Sequence, residues 1–185
     1  MSPLSVSAYL TSVRRFFAWL EVNGTYPNIA KDIKGLKRPR GFLKEALTPI
    51  QVLRILTSID KGTIVGLRDY AMLNLMLRTG LRTIEVVRAD IGDLGSEGGE
   101  HVLRVWGKGR DTKDDFVLLV PESYNPLMDY LKARKNRGKD EPLFVSHSNH
   151  NSKKRLTTKS VRRTILERLD AVGLKTDKVS AHSFR

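Results

Sequence analysis

Cysteine is missing altogether from the 185 residues. Its absence excludes disulfides, a thiol nucleophile and a Cys-ligated zinc, and it suits a reducing compartment. Long apolar runs are missing too: none approaches the ~20 residues that a membrane-spanning helix needs. The opening residues Met1-Ser2-Pro3-Leu4 carry neither the basic start nor the apolar stretch of a secretory signal. A cytoplasmic location with no membrane partner is therefore expected. There is no internal repeat and no low-complexity tract. Acidic residues are scarce beside basic ones, with 20 Asp and Glu against 33 Lys and Arg. The net charge is +13 and the isoelectric point about 10.2. An excess of that size points to a polyanionic partner, most simply nucleic acid. With 40% hydrophobic residues the chain is globular rather than disordered.

The spacing of apolar residues predicts a helix over residues 4–23. Val6, Leu10, Val13, Phe17 and Leu20 recur at alternating four- and three-residue steps, Phe16 and Trp19 widen the stripe, and Gly24 is a plausible stop. A helix cannot bury its own face, so this stripe is expected to be core. Residues 31–44 crowd Lys31, Lys34, Lys37, Arg38, Arg40 and Lys44 around Gly35, Pro39 and Gly41. They read equally as a solvated loop or as a basic linker between two bodies, suited to lie along a phosphate backbone.

A second body begins where Thr48 can cap a helix and Pro49 can open it. Residues 63–78 are apolar on most sides and predict a central helix that stops at Thr79-Gly80; a short helix follows with Arg82, Glu85 and Val86. Residues 101–106 and 116–120 are strand-like, and the charged stretch Gly107 to Asp115 between them makes a hairpin with a long turn. A helix is expected from Pro121 or Pro126 to about Asn136, with Tyr124, Leu127, Met128 and Leu131 inward. Pro142 to Val145 is a short extended piece. Thr157 or Thr158 caps a last helix that holds Val161, Ile165, Leu166 and Leu169 inward and ends at Gly173. The pattern is mostly α with a small antiparallel β-hairpin, an α+β arrangement.

Four basic side chains stand in tight local frames: Arg82 after a helix stop, Lys108 in the turn Gly107-Lys108-Gly109-Arg110, and His182 and Arg185 in His182-Ser183-Phe184-Arg185. They match what transesterification at a phosphodiester demands. Two guanidinium forks can grip the non-bridging oxygens of the pentacoordinate transition state, each contact supplying on the order of 3–4 kcal/mol. A lysine among cations can protonate the leaving oxygen. A histidine can donate to the phosphate or handle the nucleophile's proton. No metal or cofactor is required, because fixed cations do its work. Glu85, one helical turn past Arg82, could orient it; Glu85 paired with Arg82 or Arg88 is otherwise an ordinary surface contact worth under ~1 kcal/mol. Taken singly, each of these motifs is weak.

In this order and context, the boxes resemble the tyrosine recombinases, or phage-type integrases. Arg78-Thr79-Gly80-Leu81-Arg82-Thr83-Ile84-Glu85 is similar to that family's first-arginine box, Val105-Trp106-Gly107-Lys108-Gly109-Arg110 to its hairpin-lysine motif, and His182-Ser183-Phe184-Arg185 to its His-x-x-Arg box. Pro142-Leu143-Phe144-Val145 resembles the extended segment that usually precedes the last box. The resemblance implies a tyrosine recombinase catalytic domain over 45–185, with 1–40 a C-terminal remnant of a SAM-like core-binding domain plus basic linker. It implies a mobile-element type of DNA integration and recombination enzyme that cuts and rejoins DNA through a 3′-phosphotyrosine. Its partners would be double-stranded DNA and other protomers, as a tetramer. Arg82, Lys108, His182 and Arg185 are then the catalytic candidates and Glu85 the supporting acid. Lys34, Lys37, Arg38, Arg40, Lys113, Arg162 and Arg163 are the candidate DNA contacts, with Lys113 an alternative hairpin lysine. The family's nucleophilic tyrosine lies downstream of the second arginine. Tyr9, Tyr26, Tyr70, Tyr124 and Tyr130 all precede it, so the nucleophile is expected to be absent and the chain to be a fragment inactive in strand cleavage. Two alternatives stand beside this reading: a non-catalytic DNA-binding protein that keeps the fold, and a type IB topoisomerase-like enzyme.

Overall fold

A computed structural model describes residues 2–36, 45–106, 112–135, 138–149 and 152–184, with His182 described in its backbone alone. The chain divides into two compact units, Met1–Phe42 and Leu43–Arg185. In the first, helix α1 spans Pro3–Val22; Ser2 caps it by accepting the Ser5 N–H at 3.2 Å, and Pro3 opens it. None of its residues is buried. Val6, Leu10, Phe17 and Leu20 are half-buried, whereas Val13, Phe16 and Trp19 are exposed. The stripe is thus amphipathic without being core, contrary to the expectation from its periodicity. Among the described residues of its unit the helix meets the short segment after it, where Phe17 and Tyr26 approach with ring centroids 6.3 Å apart. Among the described residues, one helix and one such segment are too little to enclose an apolar face.

The second unit is built around helix α3, Ile64–Thr79. Ala71, Met72, Leu73, Leu75 and Met76 are all buried, so this helix is surrounded on nearly every side. Thr63 caps it by accepting the Gly66 N–H at 3.0 Å. Gly80 ends it at φ 67°, the left-handed conformation that glycine adopts without a Cβ penalty. Gly66 is required for a different reason: a Cβ there would lie 1.6 Å from the Asp60 carbonyl oxygen. Gly66→Ala should therefore lower the unfolding free energy by about 1–3 kcal/mol, typical of overpacking; an unchanged urea midpoint would refute this.

Helix α2, Pro49–Thr57, packs on α3, and its start is a reciprocal capping box between Thr48 and Gln51. Helix α4, Thr83–Arg88, follows the break at Gly80. Three antiparallel strands come next, in spatial order β1-β2-β3: β1 Leu94–Glu97, β2 Glu100–Val105 and β3 Asp115–Leu118. Leu94 pairs with Leu103, and Val102 with Leu118. Strand β1 is an addition to the predicted hairpin. It turns into β2 through Gly98 and Gly99, both at positive φ (60° and 87°), as a two-residue hairpin turn demands. Helix α5, Pro121–Ala133, lies along α3 and buries Leu127, Tyr130 and Leu131. Helix α6, Thr158–Ala171, is capped by Thr157 and buries Val161, Thr164, Ile165 and Leu169. Leu166, expected inward, is 38% exposed, and Thr164 takes the inward place instead. The extended piece Leu143-Phe144-Val145 is buried and bridges to its neighbours at Asp90↔Pro142 and Val145↔Arg155. Each of these buried aliphatic or aromatic side chains stabilises the fold by about 1.5–3 kcal/mol. No helix among the described residues is long and apolar enough to cross a membrane.

The core also holds charge. Arg68 is 8% exposed and Asp69 3%. The Arg68 guanidinium donates to Asp69 Oδ1 at 2.6 and 2.9 Å and to the Val145 carbonyl at 3.3 Å. The other Asp69 oxygen accepts from Arg168 at 3.1 Å. This knot joins the start of α3 to the extended piece and to α6.

Candidate active site

The αL break at Gly80 turns the chain sharply, so that Arg82 becomes the N-cap residue of α4. Glu85, three residues on, reaches back with both carboxylate oxygens. One accepts the Arg82 backbone N–H at 2.6 Å, and the other accepts from the Arg82 guanidinium, also at 2.6 Å. The Glu85 side chain is 13% exposed and that of Arg82 41%. The acid is thus the buried buttress and the arginine its presented face. The ion pair is with Arg82, which decides between the two partners open to Glu85 from sequence.

Arg82 stands between two hollows. One, of about 490 Å³, is lined by Glu85, Val105, Trp106 and Phe116, on the side of the hairpin. The other, of about 230 Å³, is lined by Thr83, Ile84, Thr158, Arg162 and Ala181. Trp106 immediately precedes Gly107-Lys108, and Ala181 immediately precedes His182. The neighbours of all three boxes therefore converge on Arg82, although they come from distant parts of the sequence. His182 lies in a 3₁₀ turn, Ala181–Phe184, which Phe184 anchors at 1% exposure and the Ser183 N–H closes onto the Ser180 carbonyl at 2.8 Å. Lys108, Arg185, Lys37, Arg38 and Arg40 lie outside the described residues. Lys34 is exposed in the first unit. Arg163 is exposed on α6, 3.6 Å from Glu167, whereas Arg162 shares the smaller hollow with Arg82.

Lys113 is placed differently from the other basic candidates. Its ammonium donates to Asp93 Oδ2 at 2.5 Å and to Asp90 Oδ2 at 3.0 Å. Asp90 also accepts from Arg155 at 2.5 Å. Burial alone would raise the Asp90 pKa, but the hydrogen bonds from Arg155 and Lys113 outweigh it and hold the carboxyl below its ordinary value. Asp90, Asp93 and Arg155 did not stand out in the sequence, and Trp106 did so only as a strand former and a member of the hairpin-lysine motif. The one local signal was the pair of acids three residues apart just before a strand, which reads as a turn.

A helix-rich unit built on α3, with a small three-stranded antiparallel sheet, is shared with solved structures of known proteins. A XerH site-specific recombinase bound to palindromic difH substrate, in a post-cleavage complex, superposes with a TM-score of 0.74 at 20% identity, covering 100% of this chain and 52% of that one. A lambda integrase (75-356) dimer bound to a COC′ core site gives 0.69 at 13% identity, covering 98% and 64%. These likenesses establish the fold. Residues 45–185 match the model of the phage integrase family, and the chain belongs to that family, the tyrosine recombinases. Among relatives, the tyrosine recombinase XerC of Myxococcus xanthus is 32% identical over 195 residues, covering 100% of this chain and 61% of that protein. The tyrosine recombinase XerD of Listeria innocua is 30% identical over 151 residues, covering 79% and 50%. The chain thus spans between half and three fifths of the length of these relatives.

Proposed function

We propose that this chain carries the phosphate-gripping part of a site-specific DNA recombinase working through a 3′-phosphotyrosine. Arg82 and Arg185 hold the two non-bridging oxygens of the scissile phosphate, Glu85 fixes Arg82, and His182 donates to the phosphate or takes the nucleophile's proton. A tyrosine oxygen forms the new bond to phosphorus, the bond to the 5′ oxygen breaks, and Lys108 supplies that oxygen's proton. No metal takes part in this scheme. Residues 45–185 are the catalytic domain, and residues 1–40 belong to a core-binding domain and its linker. The observation that carries the reading is the convergence of the three boxes' neighbours on the buttressed Arg82. Duplex DNA is the partner, with further protomers assembling on it to a tetramer, as the DNA-bound lambda integrase dimer and the lambda integrase tetramer on a Holliday junction support. The place of action is the cytoplasm.

Binding tests the electrostatic half of this proposal. Fluorescence anisotropy with a labelled duplex should show affinity falling steeply with salt as counterions are released. Replacing Lys34, Lys37, Arg38 and Arg40 together by alanine should flatten the log–log slope by up to about 3–4. Binding that ignores salt would count against a phosphate-tracking surface. The chemical half is tested by whether the protein in its natural full-length form leaves a denaturation-resistant adduct on a nicked duplex.

A further inference from the structure

Resting on that reading, we infer that Lys113 is a positioning residue for Lys108: its ammonium tethers the returning arm of the hairpin to the connection between α4 and β1, and so fixes one end of the segment 107–111 to which Lys108 belongs. Three observations converge on this. First, the ammonium is already engaged by two carboxylates, at 2.5 Å from Asp93 and 3.0 Å from Asp90, with only 21% of the lysine side chain exposed. Second, the acids are themselves fixed. Asp93 Oδ2 accepts the Asp90 N–H at 2.7 Å. Asp90 accepts from Arg155, which also donates to the carbonyls of Val87 at 2.8 Å and Ala89 at 3.2 Å. The anchor is thus tied to the chain on both sides. Third, Lys113 lies 5.9 Å from the ring centre of Trp106, and Arg88 lies 6.0 Å from the same ring. Trp106 stands just before residues 107–111 and Lys113 just after them, so the residues flanking that segment are held beside one another.

Two cations and two carboxylates make a closed set, which leaves Lys113 poorly suited to a phosphate. To reach one it would have to leave both acids and strand them half-buried, a costly exchange. It is equally poorly suited to give up a proton. Burial works to lower its pKa, but the hydrogen bonds to Asp93 and Asp90 outweigh burial and raise it, the opposite of what a general acid near neutrality needs.

The test uses Lys113→Met, Lys113→Arg and Asp93→Asn. Amide hydrogen exchange at Leu103, Val105 and Val117 is measured in this chain, and strand cleavage of a nicked duplex in the natural full-length protein. A tether predicts that Lys113→Met and Asp93→Asn each raise exchange in the hairpin and each slow cleavage, by about tenfold or more for a misplaced group. The double variant should be little worse than either single one, because both break the same contact. Lys113→Arg should keep most of the rate, since a guanidinium can bridge two carboxylates but cannot serve as a proton donor. If Lys113→Met proves unfolded by circular dichroism, Lys113→Arg and Asp93→Asn carry the test. Cleavage that is unchanged or faster in Asp93→Asn would overturn the tether and make Lys113 a phosphate contact or proton donor, and cleavage abolished in Lys113→Arg would overturn it and make Lys113 the proton donor. Unchanged exchange in Asp93→Asn would overturn it as well. Should the unaltered protein form no adduct, the recombinase reading fails, and hydrogen exchange still decides whether Lys113 ties the hairpin down.

Discussion

Replacing Arg82 by alanine should slow strand cleavage by the natural full-length protein by about 100- to 1,000-fold, the loss expected when one charged donor to a developing oxyanion is removed. Affinity for the uncleaved duplex should change far less, since many cations share the duplex but only a few the transition state. The clean readout is the single-turnover rate of adduct formation at saturating protein. Arg82→Lys should recover little, because an ammonium cannot fork onto two oxygens. Glu85→Gln should fall between: it keeps a carbonyl for the Arg82 N–H but loses the charge that now sits 2.6 Å from the guanidinium. An Arg82→Ala protein that binds poorly yet cleaves at the normal rate once bound would assign Arg82 to docking rather than chemistry.

The largest loss of stability should come from Asp69→Ala, at the opposite end of α3. Asp69 answers both Arg68 and Arg168, and Arg68 is 8% exposed. Removing one partner of a buried ion pair typically costs about 3–5 kcal/mol, because a charge is left without compensation. For a unit of this size the melting temperature should fall by on the order of 10–20 °C. Replacing Arg68, Asp69 and Arg168 together by apolar residues of similar volume should cost much less, since no charge is then orphaned. Equal losses in the single and triple variants would show that packing, not charge, is what the knot supplies.

Most helices of the second unit were legible because their ends carry chemistry that acts locally. Thr48-Pro49, Thr157 and Thr79-Gly80 stop or start a helix whatever surrounds them. Strand β1 was not legible, because Leu94-Gly95-Ser96-Glu97 has a single large apolar residue and no alternation; its pairing with β2 makes it a strand. The stripe on α1 shows the reverse limit. Its period reveals a helix with two faces, but not whether anything covers one of them. The boxes around Arg82 and His182 were legible through their spacing and their likeness to a family. The engagement of Lys113 was not, because its partners lie 20 and 23 residues earlier and only the folded hairpin delivers it to them.

The carboxylate that steadies Arg82 also alters how the site looks from a distance. Beyond a few ångströms, a guanidinium and a carboxylate 2.6 Å apart act as a small dipole, whose field dies away faster than that of a lone cation. Arg82 thus draws a small anion drifting past less than an unpaired arginine would. The pull on a long polyanion must come from the rest of the +13 charge spread along the chain. If Arg82 grips the scissile phosphate as proposed, capture and grip fall to different residues: salt weakens the first, and only a phosphate pressed into contact engages the second.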